Sequence, residues 1–169
     1  VQDNLSTLGK YGVNKIHQIT NEQLNNLDAQ VYTQVLAEAV QTINADIIIF
    51  SHNVVGKAVA PRLSVKLKAG LVVGAVALPD TTNGFIVKKN VFSGKAFAYL
   101  KVDTPVKIIS LNPNAFRVIE ITGTAAVEPL NITIPASKIK IIKTDKVTGE
   151  IPLTEAEIVV SGGRGLKGP

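Results

Sequence analysis

The segment DAQVYTQVLAEAVQTINADIIIFSHNVVGKAVAPRLSVKL, residues 28–67, contains a helix, a strand, a loop and a second helix in that order. Asp28 is a good N-cap, because its carboxylate accepts from the free amides of a first helical turn. Val31, Val35, Ala39, Val40 and Ile43 then recur at helical spacing down one face, through about Asn44. Ile47 to Phe50 is a short unbroken apolar run, the pattern of a fully buried strand. Ser51 to Gly56 reads as a loop and Lys57 to Leu67 as a second helix. Pro61 is its strain point, since proline lacks an amide proton and crowds the preceding turn. Strands and helices that alternate in this way wind into a parallel sheet. The fold class expected is α/β, a doubly wound, mostly parallel sheet.

Outward from this segment the pattern changes. Asn4 to Tyr11 reads as a short helix stopped at Gly12, and Lys15 to Ile19 alternates like a strand. A doubly wound sheet starts with a strand and its crossover, whereas Val1 stands just before a helix. An opening strand, helix and second strand are therefore expected to be missing from the α/β domain at 1–144. Downstream, Ala75–Leu78, Gly84–Val91, Ala96–Val102 and Val106–Leu111 read as short strands. Pro79-Asp80, Asn83-Gly84 and Asp103-Thr104-Pro105 supply the turns, and Asn-Gly is a strong hairpin signal. These strands form an antiparallel excursion attached to the parallel sheet. Ala125 to Pro129 punctuates its exit. Ile139 to Lys143 alternates as one more strand, with Lys138 and Lys140 on a solvated face. The polar stretch 145–156, with Gly149 and Pro152, reads as a linker to a further piece at 157–169.

Composition narrows the function classes. A chain of 169 residues, 46% hydrophobic and 18% charged, fills one good core with room for part of a second domain. Its apolar residues are mainly Val, Ile, Leu and Ala, with aromatics at 5%, which suits buried parallel strands. With no cysteine, disulfides, zinc–thiolate sites and thiol chemistry are excluded. His17 and His52 are the only imidazoles, neither has a carboxylate at metal-ligand spacing, and no metal site is expected. The net charge of +5 comes from scattered lysines without interleaved aromatics, so nucleic-acid binding is not expected. The longest nearly unbroken apolar stretch, Ala69 to Leu78, is too short to cross a bilayer, and no membrane insertion is expected. The chain has no methionine, even at position 1, which reads as a processed or internal piece.

Chemistry points to two places. The first is the tail: the apolar run Glu157 to Val160 reads as a strand and leads into Ser161-Gly162-Gly163-Arg164-Gly165. Glycines permit φ > 0 and close backbone approach, while exposed amides and a guanidinium neutralise an anion. The second is the loop Ser51, His52, Asn53, Gly56, Lys57, at the carboxyl end of a strand, where open α/β sheets place their ligands. Its spacing is not that of a phosphate-binding P-loop, since Ala58 follows Lys57 and no upstream glycine precedes it. No serine–histidine–carboxylate order can be built around His52, so a hydrolase is not expected.

The string IVVSGGRGLK at 158–167 resembles the segment that opens the FAD-binding domain in electron-transfer flavoprotein alpha subunits. Two upstream blocks resemble the same family: Gly56-Lys57 with Ala60-Pro61-Arg62-Leu63-Ser64 and Lys66-Leu67, then Phe92-Ser93-Gly94-Lys95-Ala96. Order and rough spacing agree from about residue 50 to the end, while 1–45 agree only in pattern. The resemblance implies an adenine-nucleotide-hydrolase-like N-terminal domain plus the first strand and Gly-rich loop of the flavin domain at 157–169. It implies an electron carrier rather than a self-contained enzyme, with FAD as cofactor. Arg164 would contact the FAD, Gly162, Gly163 and Gly165 would shape the turn, and Ser161 would donate a hydrogen bond. The expected partners are the beta subunit, acyl-CoA and other dehydrogenases, and a quinone oxidoreductase. The expected compartment is the cytoplasm, or the mitochondrial matrix in a eukaryote. The match departs after Lys167, where the family usually continues Ser-Gly-Glu and this chain has Gly168-Pro169. The family's other flavin contacts lie beyond that point, so this chain alone is expected to hold FAD weakly or not at all. Residues 157–169 are expected to be poorly ordered or borrowed by a neighbouring sheet edge. The alternative reading is a free-standing AMP- or ATP-binding module that uses loop 51–57.

Overall fold

A computed structural model describes residues 4–145, 149, 151, 153, 156 and 158–166, which fall in two units, Val1–Ile139 and Lys140–Pro169. In the first unit a 3-10 helix at Leu5–Tyr11 stops at Gly12, whose φ of 84° is left-handed, and leads into β1 (Lys15–Gln18). Next come α1 (Ala29–Ile43), β2 (Ile47–Ser51) and α2 (Val54–Leu67). The chain continues through β3 (Gly70–Ala75), β4 (Ile86–Val91), β5 (Ala96–Lys101), β6 (Lys107–Leu111) and β7 (Ala126–Pro129).

Asp28 caps α1 as its sequence position implies. Its Oδ1 accepts from Gln30 N at 2.9 Å and from Val31 N at 3.3 Å, and its Oδ2 accepts from Ser137 Oγ at 2.7 Å. The Ser137 bond, reinforced by the two amides and by Arg62, holds this buried carboxyl below the usual range although burial opposes the shift. The helix ends at Asn44, left-handed at φ 52°. The second helix starts earlier than the expected Lys57. Asn53 is its cap, with Oδ1 accepting from Gly56 N at 2.9 Å, so Gly56 and Lys57 lie in the first turn rather than in a loop.

The five-stranded sheet has the order β2-β6-β3-β4-β5, with β2, β6 and β3 parallel and β3, β4 and β5 antiparallel. The α/β class and the antiparallel excursion thus stand as expected. A separate parallel pair joins β1 to β7, which makes Ala126–Pro129 a strand rather than mere exit punctuation. The third strand lies at Gly70–Ala75 and not at Ala75–Leu78. Val72 pairs with Ile109 but Ala75 with Leu111, so β3 carries one extra residue there, and beyond it Leu78 is 79% exposed.

Alternate residues of the sheet feed two apolar clusters. Ile108 packs with Ala37 of α1, Ala60 and Leu63 of α2, and Ala69 on one face. Ile109, Val72, Val87 and Val102 pack on the other. Full burial of a side chain such as Leu63 or Ile108 stabilises by about 1.5–3 kcal/mol. The second strand is not buried on both faces, contrary to its apolar run: Ile48 and Phe50 join the helix-side cluster, but Ile47 and Ile49 are 44% and 60% exposed. It forms an edge of the sheet, and both long helices contribute to the cluster on one side only. Ile47 and Ile49 line an apolar cleft of about 420 Å³ with Leu78, Phe85 and Phe116.

At the other edge, the β4–β5 turn takes three left-handed residues in succession, Phe92, Ser93 and Gly94. Lys88 Nζ stands 3.9 Å from the Phe97 ring centre and 5.8 Å from that of Tyr99, its cross-strand partner. Lysine and aromatics that are separate along the chain therefore meet across the hairpin, a cation–π contact worth about 0.5–1 kcal/mol when exposed.

In the second unit, Ile141 to Asp145 form no strand, against the alternation at Ile139 to Lys143, and Ile142 is 93% exposed. An apolar–lysine alternation needs a ladder partner and a covered face, and none is present among the described residues. Likewise Ile158, Val159 and Val160 pair with no strand among the described residues and are exposed; Glu157 lies outside the described residues.

Candidate functional site

The carboxyl ends of β2, β3 and β6 meet beside the start of α2. The bulge in β3 organises them. Gly74, left-handed at φ 73°, turns its amide out of the ladder and donates to Ser110 Oγ at 3.1 Å. The Ser110 hydroxyl, 1% exposed, lies 2.9 Å from His52 Nδ1. The Gly74 amide takes one lone pair of Ser110 Oγ, which leaves its proton and its second lone pair for Nδ1, so the direction of that bond follows the His52 tautomer. Burial, with the nearby Lys57 and Lys89 charges, holds His52 below its ordinary 6.5. Burial and the two lysine charges thus favour the neutral ring.

This sets a pH dependence. A lowered pKa means that the unfolded chain takes up the proton first as pH falls. The His52 contribution to stability is therefore complete above 6.5 and is lost as the pH drops from there through the folded value. Urea unfolding of the parent should show a stability that declines below that point. In His52→Gln the decline should be shallower, and equal slopes in the two proteins would refute the assignment.

Most of the polar groups expected of loop 51–57 are consumed by the fold. The Asn53 side chain is spent on its cap, His52 on Ser110, and Gly56 is buried against the Ser51 carbonyl with no room for a Cβ. The His52 backbone amide donates to Leu111 O at 2.9 Å. Of the expected residues, Ser51 and Lys57 are exposed and their side chains make no hydrogen bond among the described residues. Ser110 and Gly74 were not among the expected site residues. An isolated glycine in an apolar run, which marks a bulge, is the signal that points to Gly74; nothing local marks Ser110.

The tail residues come from the other unit. Leu166 N donates to Gly163 O at 3.1 Å, closing a single 3-10 turn at Arg164–Leu166. The glycines with positive φ among the described residues are Gly12, Gly74, Gly84, Gly94 and Gly149; Gly162, Gly163 and Gly165 are not among them. Gly163 and Gly165 have open space where a Cβ would stand, and Ser161, Gly162, Gly163 and Gly165 are exposed. Lys167 to Pro169 lie outside the described residues. Among the described residues no three histidine or acidic side chains gather as a metal site, and no helix is long and apolar enough to cross a membrane.

A parallel sheet extended by an antiparallel hairpin, with its strand ends held by a capped helix, defines an α/β protein of the open-sheet class. The family model of the electron transfer flavoprotein domain matches residues 2–136. The chain belongs to the electron transfer flavoprotein family. It is 28% identical to an electron transfer flavoprotein subunit alpha of Bacillus subtilis over 99% of its own length and 52% of the relative's. It is 31% identical to a probable mitochondrial electron transfer flavoprotein subunit alpha of Cryptococcus neoformans var. grubii, over 92% of this chain and 45% of that one. A subunit of the lactate dehydrogenase (NAD(+),ferredoxin) of Acetobacterium woodii is 25% identical over 99% of this chain and 41% of its own length. The chain spans about half the length of the curated relatives it matches.

Proposed function

We propose that this chain is the N-terminal part of the alpha subunit of a heterodimeric, FAD-containing electron carrier, in which it serves as scaffold and subunit interface. The observation that carries this reading is the match to alpha subunits over nearly the whole chain, together with the family match at 2–136. The spent polar groups of loop 51–57 weigh against a free-standing nucleotide-binding module.

On this reading 145–156 is a linker and 157–169 opens the flavin domain. Gly162, Gly163 and Gly165 let a phosphate approach the backbone, Ser161 donates to it, and Arg164 contributes a guanidinium suited to phosphate or to the flavin edge. Bound FAD supplies the electron-accepting ring; the chain's own residues only bind and orient it. Electrons would come from dehydrogenases such as acyl-CoA dehydrogenases and leave to a quinone oxidoreductase. Bacterial and mitochondrial relatives support a cytoplasmic or matrix location.

A visible spectrum of the uncut gene product, purified with its beta partner, tests the reading. Oxidised-flavin bands are expected, and the present chain alone should remain colourless. A heterodimer that stays colourless after FAD is added would overturn it.

A further inference from the structure

Asn83-Gly84 is the only Asn-Gly pair in the chain, and the fold leaves it outside every ladder. Its loop is closed by Asp80 and Ile86, which exchange backbone hydrogen bonds of 2.8 and 2.9 Å. Asp80 Oδ1 accepts from Thr82 N at 2.8 Å and fixes the first half of the loop. In the second half, the Asn83 side chain makes no hydrogen bond among the described residues, the Gly84 amide closes only a weak turn over Thr82 and Asn83, and both residues are exposed. With φ at 109°, Gly84 has a conformation that side chains rarely adopt, and no Cβ shields its nitrogen. The Lys101 side chain lies over it: a Cβ placed on Gly84 would stand 2.6 Å from Lys101 Cε and 3.5 Å from its Nζ.

We propose that Asn83 is a site of spontaneous deamidation, promoted by the ammonium of Lys101. The Gly84 amide loses its proton to solvent and its nitrogen attacks Asn83 Cγ. A carbon–nitrogen bond forms, the side-chain amide takes a proton and leaves as ammonia, and a cyclic succinimide results. Water then opens the ring at either carbonyl to give aspartate or isoaspartate. One water is consumed, one ammonia is released, and nothing is oxidised or reduced. The reaction needs a nitrogen that can deprotonate, no Cβ on the attacking residue and a free asparagine side chain, and these are what the loop leaves available. A positive charge beside Gly84 stabilises both the deprotonated nitrogen and the oxyanion that follows.

The product differs in two ways. A new carboxylate appears at the residue before Gly84, over which Lys101 lies with its Nζ 3.4 Å from Asp103 Oδ1, and the net charge of +5 falls by one. In the isoaspartate form, an extra backbone methylene enters the loop that delivers the chain to β4. The root of the antiparallel excursion therefore carries a chemical clock.

The test is to incubate the full chain at neutral pH and 37 °C beside a synthetic peptide of residues 81–86. Conversion is followed by peptide mapping with mass spectrometry and by enzymatic methylation of isoaspartate. The loop should convert as fast as the peptide or faster, with the label confined to the fragment that contains Asn83 and absent in Asn83→Gln. Lys101→Gln should slow the chain about threefold or more and Lys101→Arg should restore the rate, while added salt slows the parent towards Lys101→Gln. A chain that converts about tenfold more slowly than the peptide, a barrier about 1.4 kcal/mol higher, overturns the proposal. An unchanged rate in Lys101→Gln overturns the part assigned to Lys101.

Discussion

Replacing Gly56 by alanine should destabilise the chain by about 2 kcal/mol, although alanine is the better helix former. Intrinsic propensity favours the substitution by up to about 1 kcal/mol. Against this, the new Cβ falls inside contact distance of the Ser51 carbonyl oxygen and close to Phe50 Cβ, at 3.4 Å. A carbonyl in the backbone of β2 cannot swing away as a flexible side chain can, so the clash must be met by moving α2 or the strand end. Overpacking of this kind costs about 1–3 kcal/mol and more where backbone is involved, and the steric term wins. The movement has a local signature as well. It loosens the hydrogen bond from His52 N to Leu111 O and the seat of His52 on Ser110, so burial lowers the imidazole less. Urea unfolding should show the loss of stability, and proton NMR should show the His52 titration moved back towards 6.5. A Gly56→Ala protein as stable as the parent would mean that the close approach of helix and strand does not exist.

What was legible in the sequence was what local interactions determine. The first long helix was readable because Asp28, its cap, and the apolar face from Val31 to Ile43 lie within one continuous segment. The start of α2 was missed because Val54, Val55 and Gly56 are poor helix formers, and the cap bond from Gly56 N to Asn53 Oδ1, with the burial of Gly56, offsets them. The limits of β3 are set from outside. The run from Ala69 to Leu78 gives little internal sign of where pairing stops, and pairing with β6 together with the bulge at Gly74 decides it. The strand at Ala126–Pro129 forms only because β1, more than a hundred residues earlier, offers a parallel edge. Exposure of Ile47 and Ile49 depends on which face the helices cover, which four consecutive apolar residues do not encode. The candidate site divides in the same way. His52 and Asn53 were visible as polar residues after an apolar strand, whereas Ser110 is 58 residues from His52 and becomes its partner only through the register of β2 on β6. The tail rested on its resemblance to a family, and the open backbone at Gly163 and Gly165 is compatible with the role proposed for it.

The one-sided core makes the last prediction a contrast within one sheet. Ile108 and Ile49 are both isoleucines in neighbouring parallel strands, one register step apart, so they point to opposite faces. Ile108 is 0% exposed, on the central part of β6, against Ala60 and Leu63; Ile49 is 60% exposed on the edge strand. Truncation to alanine at a buried isoleucine removes the transfer free energy of its methyl and methylene groups and leaves a cavity that close-packed neighbours fill only in part, about 2–5 kcal/mol in all. Ile108 sits among Ala37, Ala60, Leu63 and Ala69, with Leu36, Ile48, Phe50, Leu67 and Leu71 packed against the same cluster, so part of the gap can be refilled and a loss near the middle of that range is expected. That is a large share of the total stability of a domain near the low end, about 5 kcal/mol. Ile49→Ala gives up little area that was removed from water and opens no enclosed void, so its cost should stay under about 1 kcal/mol. Urea midpoints of the two variants against the parent, with m-values checked for constancy, measure the difference directly. If Ile49→Ala costs as much as Ile108→Ala, the open face of β2 is covered in solution, by a second copy of the chain or by the chain itself, and dilution separates these, because only association depends on protein concentration.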